Sequence, residues 1–179
     1  MKSKMVAIFA TLMVTLMVAG LAYAMWTETI TISGTVNTGN VDVSWTVGDG
    51  YDSETDEKDV SSISGTVSAD GNTLTVTIEN AYPCIDYYLP IDLHCDGSVP
   101  VIISNIAYDL TGMPTGTTVE ITSDPAYPDG LVIAVGTQLE PCDTAYGLLH
   151  VHLTNDALEN AQYTFSVTVT VVQWNEYTG

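Results

Sequence analysis

The chain has 179 residues, with 22 Asp and Glu against 3 Lys and Arg and a formal net charge of −19 at pH 7. A chain of that sign repels a polyphosphate, so nucleic acid is excluded as a partner. The length suits one domain with a core large enough to fold alone.

Residues 1–24 have the grammar of a cleavable secretory signal. Lys2 and Lys4 supply the basic start, an apolar stretch runs from Met5 to Gly20, and Ala22-Tyr23-Ala24 places small residues where signal peptidase reads. The stretch is almost long enough to span a bilayer, so a retained anchor is the rival reading; the Ala-x-Ala site favours cleavage after Ala24. Cleavage leaves 155 residues, Met25 to Gly179, with Lys58 as the one basic residue against 22 acids, a net charge of −21. Membrane contact is then confined to export. Self-association of so acidic a chain has to be driven by backbone pairing and apolar burial, helped by salt or divalent cations.

From Trp26 onward Thr, Val and Ile alternate at period two between Gly, Asp, Asn and Pro, the pattern of half-buried strands. Trp26 to Ser33 puts Trp26, Ile30 and Ile32 on one face. Val41 to Val47 does the same with Val41, Val43, Trp45 and Val47. Gly48 to Asp59 carries six acids and no apolar period, so it reads as an exposed loop. Asp70-Gly71 sits between Ile63–Ser68 and Thr73–Asn80 as the turn of a hairpin. Further strands are expected at 85–94, 101–108, 117–122, 131–135, 146–153 and 163–174, and one helical turn at 155–161. On the last strand Phe165, Val167, Val169 and Val171 should point inward. Many short strands without covering helices predict an all-β fold, an antiparallel β-sandwich of two sheets occupying residues 25–179.

Export permits a disulfide, and three cysteines allow one bridge. Cys84 and Cys95 bracket one extended run of about 36 Å, whereas bridged Cα atoms lie within about 7 Å. Cys142 therefore takes part. Cys84 and Cys142 each follow a proline and lead into an expected strand, which favours Cys84–Cys142; Cys95–Cys142 is the alternative.

His150 and His152 flank Val151 on a strand and share a face, a geometry open to a transition metal with His94 or a carboxylate completing the set. Two solvated or hydrogen-bonded histidines are the commoner arrangement. Asp52, Glu54 and Asp56 place hard oxygens at alternate positions, as calcium loops begin, but the Gly and distal Glu of an EF-hand are missing, so a solvated charge run is the preferred reading. No cofactor is required, calcium being the one candidate. No Gly-x-Ser-x-Gly elbow, phosphate-binding glycine loop, haem-attachment motif or His-Glu-x-x-His helix is present, and no enzyme activity is expected. No Asn-x-Ser/Thr sequon occurs.

The order and spacing of several short landmarks carry a family resemblance. These are Trp26 to Val36 directly after the leader, Asn80-Ala-Tyr-Pro83, Gly97 to Val101, Gln138-Leu-Glu-Pro141, and Tyr163-Thr-Phe165 leading to Gln173-Trp-Asn-Glu176. The chain resembles the TasA and camelysin family of secreted fibre proteins, including subunits of archaeal bundling pili. The resemblance implies a jelly-roll-like (Ig-like) sandwich that polymerises head to tail by donor-strand complementation, making the partner another copy of the chain, with neighbouring filaments or cell surfaces beyond it. The donor role carries over to Trp26, Thr27, Glu28, Thr29, Ile30, Thr31, Ile32 and Ser33, within a donor segment 26–36. The family places Gly after both Tyr-Pro and the later Pro, where this chain has Cys84 and Cys142, and the paired replacement lends support to a bridge between them. Camelysin-type peptidase activity and a monomeric, surface-anchored adhesion domain are the alternative readings.

Overall fold

The computed structural model describes residues 2–24, 32–35, 38–54 and 60–179. It divides into two compact units, Met1–Asn37 and Thr38–Gly179. In the first, α1 (Lys2–Ala24) is a helix. Its window Lys2–Ala19 has mean hydropathy 1.6 and is long and apolar enough to cross a membrane, as a signal sequence also is. Thr11 and Thr15 fit that apolar run because their hydroxyls donate back to Ala7 O at 2.7 Å and Leu12 O at 2.9 Å.

The second unit is all-β. Its strands are β1 (Val43–Val47), β2 (Tyr51–Asp52), β3 (Ser62–Val67), β4 (Thr73–Ala81), β5 (Asp86–Cys95), β6 (Val101–Asp109), β7 (Thr118–Thr122), β8 (Leu131–Val132), β9 (Gln138–Leu139), β10 (Thr144–His152) and β11 (Ala161–Gln173). One sheet runs β1-β5-β10-β7, with β2 also on β5 and β8 parallel to β10; the other runs β3-β4-β11-β6-β9, all antiparallel. One sheet curls into a half-barrel. Alternation explains the core. Tyr87, Leu89, Ile91, Leu93 and Cys95 of β5 and Ala145, Leu149 and Val151 of β10 are fully buried, facing Leu74, Val76 and Ile78 of β4 and Val167 of β11.

Phe165, Val167 and Val169 point inward as expected, but Val171 is only half-buried. The cause is a register shift between Thr170 and Val171, where β11 bulges against β6 and the alternation slips. Leu131–Val135 yields only the two-residue β8, β9 is additional to the expected strands, Tyr51–Asp52 pairs with β5 as β2 inside the span expected to be a loop, and residues 155–160 form turns in place of the expected helical turn.

One flank of the sandwich is closed by the β3–β4 hairpin. The Trp45 amide donates to Gly71 O at 3.1 Å and the Trp45 indole to Asn72 O at 3.0 Å. Gly71 is required there: its φ is +76°, and a Cβ would lie 3.1 Å from the Ser44 side chain. Leu89, wholly buried on the central β5, tests the inward face. Leu89→Ala should destabilise the domain by about 2–5 kcal/mol, read as a lower urea midpoint.

Candidate functional site

The expected histidine pair lies on the outward face of β10. Register places His150 opposite Tyr88 and Glu120, and His152 opposite Asp86 and Thr118. Asp86 Oδ1 accepts from His150 Nε2 and from His152 Nδ1, both at 2.8 Å, and Glu120 Oε1 lies 3.2 Å from His150 Nδ1. A carboxylate only accepts, so His150, with carboxylates at both ring nitrogens, satisfies both as the imidazolium. Burial alone would lower its pKa; the bonds to Asp86 and Glu120 outweigh that and raise it. Asp86 is held below the usual carboxylate range, chiefly by the bond from His150. Tyr51, Tyr88 and His150 stack across three strands at 5.1 and 4.9 Å between ring centroids, so their faces cover one another. The cluster clips β5, β10 and β7 together.

His94 does not join it. It pairs with Thr144 at the other end of the β5–β10 ladder, Nδ1 to Oγ1 2.9 Å, six positions or about 20 Å of strand from Tyr88. A carboxylate, Asp86, stands with the pair instead. Among the described residues no group of three or more His, Cys, Asp or Glu is arranged to hold a metal ion.

In the acidic loop, Asp52 Oδ1 accepts from the Glu54 amide at 2.9 Å, while Glu54 holds the Val60 and Ser61 amides at 2.6 and 3.1 Å and the Ser61 hydroxyl. Burial works to raise the Glu54 pKa, and these bonds overcome it and lower it. Tyr82 beside it is pushed up to about 12, by desolvation first and then by its bond to Glu54. Asp52 and Glu54 thus clasp the backbone on either side of the loop; Asp56 lies outside the described residues.

All three cysteines are free thiols, Cys84 and Cys142 exposed and Cys95 buried. The expected Cys84–Cys142 bridge is corrected by the register. β5 and β10 are antiparallel, so the two strands that Cys84 and Cys142 introduce begin at opposite ends of the domain. Each cysteine occupies the same local device. The Cys84 amide donates to Leu153 O at 2.9 Å and Leu153 N to Ile85 O at 3.1 Å; the Cys142 amide donates to Cys95 O at 3.0 Å and Cys95 N to Asp143 O at 2.9 Å. Both have left-handed backbone, φ +57° at Cys84 and +70° at Cys142. A proline, a left-handed residue and a split pairing define a glycine-type bulge after a turn. A non-glycine there costs on the order of 1 kcal/mol or more. The neighbour of Cys142 within the chain is Cys95, the alternative pairing: the hydrogen bond between their own backbones holds the Cα atoms within the roughly 7 Å a disulfide spans.

The flank opposite the β3–β4 hairpin is open over part of its length. β9 and the Ile103–Thr137–Gly136 bonds close it from Val101 to Ile103. Beyond that, among the described residues, the outer edges of β6 (Ser104 to Asp109) and of β7 have no paired strand, and the Tyr108 hydroxyl reaches the Ile121 backbone between them. Ile106, Tyr108, Val119 and Ile121 line this stretch half-buried against the core. A second opening, about 290 Å³, lies where β4 begins, beside Asn72, Val169, Thr170 and Val171; its other wall is Val41, Asp42 and Val43. Of the donor residues named above, Trp26 to Thr31 lie outside the described residues, whereas Ile32 and Ser33 are exposed, Ile32 at 91%.

Comparison of the chain with protein-family models, with curated proteins and with solved structures gives no match.

The histidine cluster makes stability depend on pH in a defined direction. His150, with its pKa raised above 6.5, contributes fully below 6.5 and loses that contribution as pH rises through its folded value. Asp86, lowered from 3.8, contributes fully above 3.8 and loses it as pH falls through its folded value. His150→Gln should therefore cost most stability near pH 5.5, with the melting-temperature gap to the parent narrowing toward pH 9.

Proposed function

We propose that the chain is a secreted structural subunit that polymerises head to tail, the segment 26–36 of one copy completing the open flank of the next. The observation that carries this is the flank itself. Among the described residues, two outer edges without a paired strand, that of β6 from Ser104 to Asp109 and that of β7, adjoin half-buried apolar residues. A strand entering there would supply main-chain partners and cover that apolar surface. Segment 26–36 has the matching pattern, with Trp26, Ile30 and Ile32 on one face and threonines on the other. The resemblance to the TasA and camelysin family supports the same reading and with it a jelly-roll-like connectivity of the sandwich. The apolar helix α1, ending in Ala22-Tyr23-Ala24, supports export and release of the segment by cleavage.

The β6–β7 flank is favoured over the opening at Val169–Val171 because Val41 and Asp42 of the chain's own entering segment already line the latter. Backbone pairing and apolar burial suit this chain better than charge pairing, since the exported part carries one cation against 22 acids. A heterologous contact of this kind does not close on itself and yields a filament. On this reading the function resides in an interface, and the histidine cluster is a structural clip.

Deleting residues 26–33 from the mature chain should leave folded monomers and abolish filaments in electron micrographs. A synthetic peptide of residues 26–36 should bind the truncated domain and raise its melting temperature, and Ile121→Asp, placing a charge on the apolar flank, should weaken that binding by about tenfold, equivalent to about 1.4 kcal/mol. Filaments of normal length from the truncated chain would refute the donor role.

A further inference from the structure

Cys84 and Cys142 are exposed, and the β5–β10 ladder holds them at opposite poles of the domain. No rearrangement short of unfolding brings them together within one chain, so each can reach the other only across a contact between copies. The poles are not equivalent in the proposed filament. The segment leading to the donor strand leaves the domain at the Cys142 pole, where Asn40 O accepts from Ser98 N at 2.9 Å and Asp42 O from Asp96 N and Gly97 N, both at 3.1 Å. The receiving strand β7 starts at the other pole, with Thr118 opposite His152 and His152 opposite Asp86, two residues from Cys84. On the head-to-tail reading, a copy donating its segment turns its Cys142 pole toward the Cys84 pole of the copy that receives it.

We propose that Cys142 of each subunit forms a disulfide with Cys84 of the next, locking the head-to-tail contact covalently. This rests on the head-to-tail reading, and a second copy of the chain is the partner. Two further features support it. Both thiols occupy left-handed turn positions where glycine would be relaxed, so the backbone does not call for cysteine at either place; within its own domain the Cys84 thiol donates to Asn155 Oδ1 at 3.2 Å. The third thiol, Cys95, is wholly buried, and burial pushes its pKa up, which keeps it protonated and unreactive. In the bond-forming step the Cys142 thiolate attacks a low-molecular-weight disulfide, giving a mixed disulfide and one released thiol. The Cys84 thiolate of the next copy then attacks the Cys142 sulfur and expels the second thiol. Two protein thiols are oxidised and one small disulfide is reduced to two thiols, which carry off the two protons.

The test uses the mature chain assembled with oxidised glutathione, run under denaturing conditions with and without reductant. The expected result is a ladder of multiples that collapses to monomer on reduction, with a peptide linking Cys84 to Cys142. Cys84→Gly and Cys142→Gly, each suited to the left-handed backbone, should give monomers alone; an equimolar mixture of the two should give dimers and no higher rung. Dimers from either variant alone, or a Cys95–Cys142 peptide within one chain, would overturn the proposal. Electron microscopy separates the two readings. Filaments from oxidised parent protein that fall to monomer without reductant would refute the disulfide and leave strand donation standing, whereas the loss of filaments and ladder together would remove both.

Discussion

Pairing of β5 with β10 is the constraint on which the rest depends. Nine consecutive positions run in register from Thr144 opposite His94 to His152 opposite Asp86. That register points Tyr87, Leu89, Ile91 and Leu93 into the core together with Ala145, Leu149 and Val151. A slip of one residue would turn the whole inward set of the shifted strand to solvent. The same register assembles the histidine clip on the outer face, because Asp86 can meet both His150 and His152 only if the ladder ends where it does. The two glycine-type bulges terminate the ladder at each pole, and by that termination they determine where the chain's exposed thiols stand.

The two flanks of the sandwich contrast in how they are finished. On one, the indole and amide of Trp45 bind the Asp70-Gly71 turn, so the hairpin between β3 and β4 seals the gap between sheets. On the other, β9 is two residues long and seals only the Cys142 end. Edge strands left with unpaired amides beside apolar side chains are what monomeric proteins usually blunt with charge or proline. Here the lining residues of the open stretch are Ile106, Tyr108, Val119 and Ile121; the β6 and β7 segments contain no proline and no lysine, and their two acids are engaged, Asp109 with Thr111 and Glu120 with His150.

Much of the fold was legible because a strand's period of two is local. Phe165, Val167 and Val169 could be assigned inward from the sequence, as could Val43 and Trp45. The failures arise where the deciding fact is not local. Val171 departs from the alternation because of a bulge that depends on β6. The similar surroundings of Cys84 and Cys142 favour a bridge between them when taken alone; the similarity is real, since both form the same bulge, but sequence context does not tell whether two strands run parallel or opposed. His94 was grouped with His150 and His152 by residue type, while the ladder separates them. The proline-x pattern and the missing glycines contained a signal for left-handed backbone that could have been read directly, because a turn of that type demands positive φ at the residue after proline.

Charge sets the terms on which any contact between copies has to form. With Lys58 alone against 22 acids in residues 25–179, no arrangement of two copies can gain much from Lys or Arg ion pairs, and the carboxylates of each surface face those of the next. The interior of one domain shows how the chain manages its acids. Asp52 and Glu54 bind the chain's own amides, and Asp86 and Glu120 bind His150, so several acids find hydrogen-bond donors within the fold without lysine or arginine. An association that also avoids cations has to use what remains, which is backbone pairing along open edges, apolar contact and covalent bonds. The open β6–β7 flank offers the first two and the polar placement of Cys84 and Cys142 offers the third.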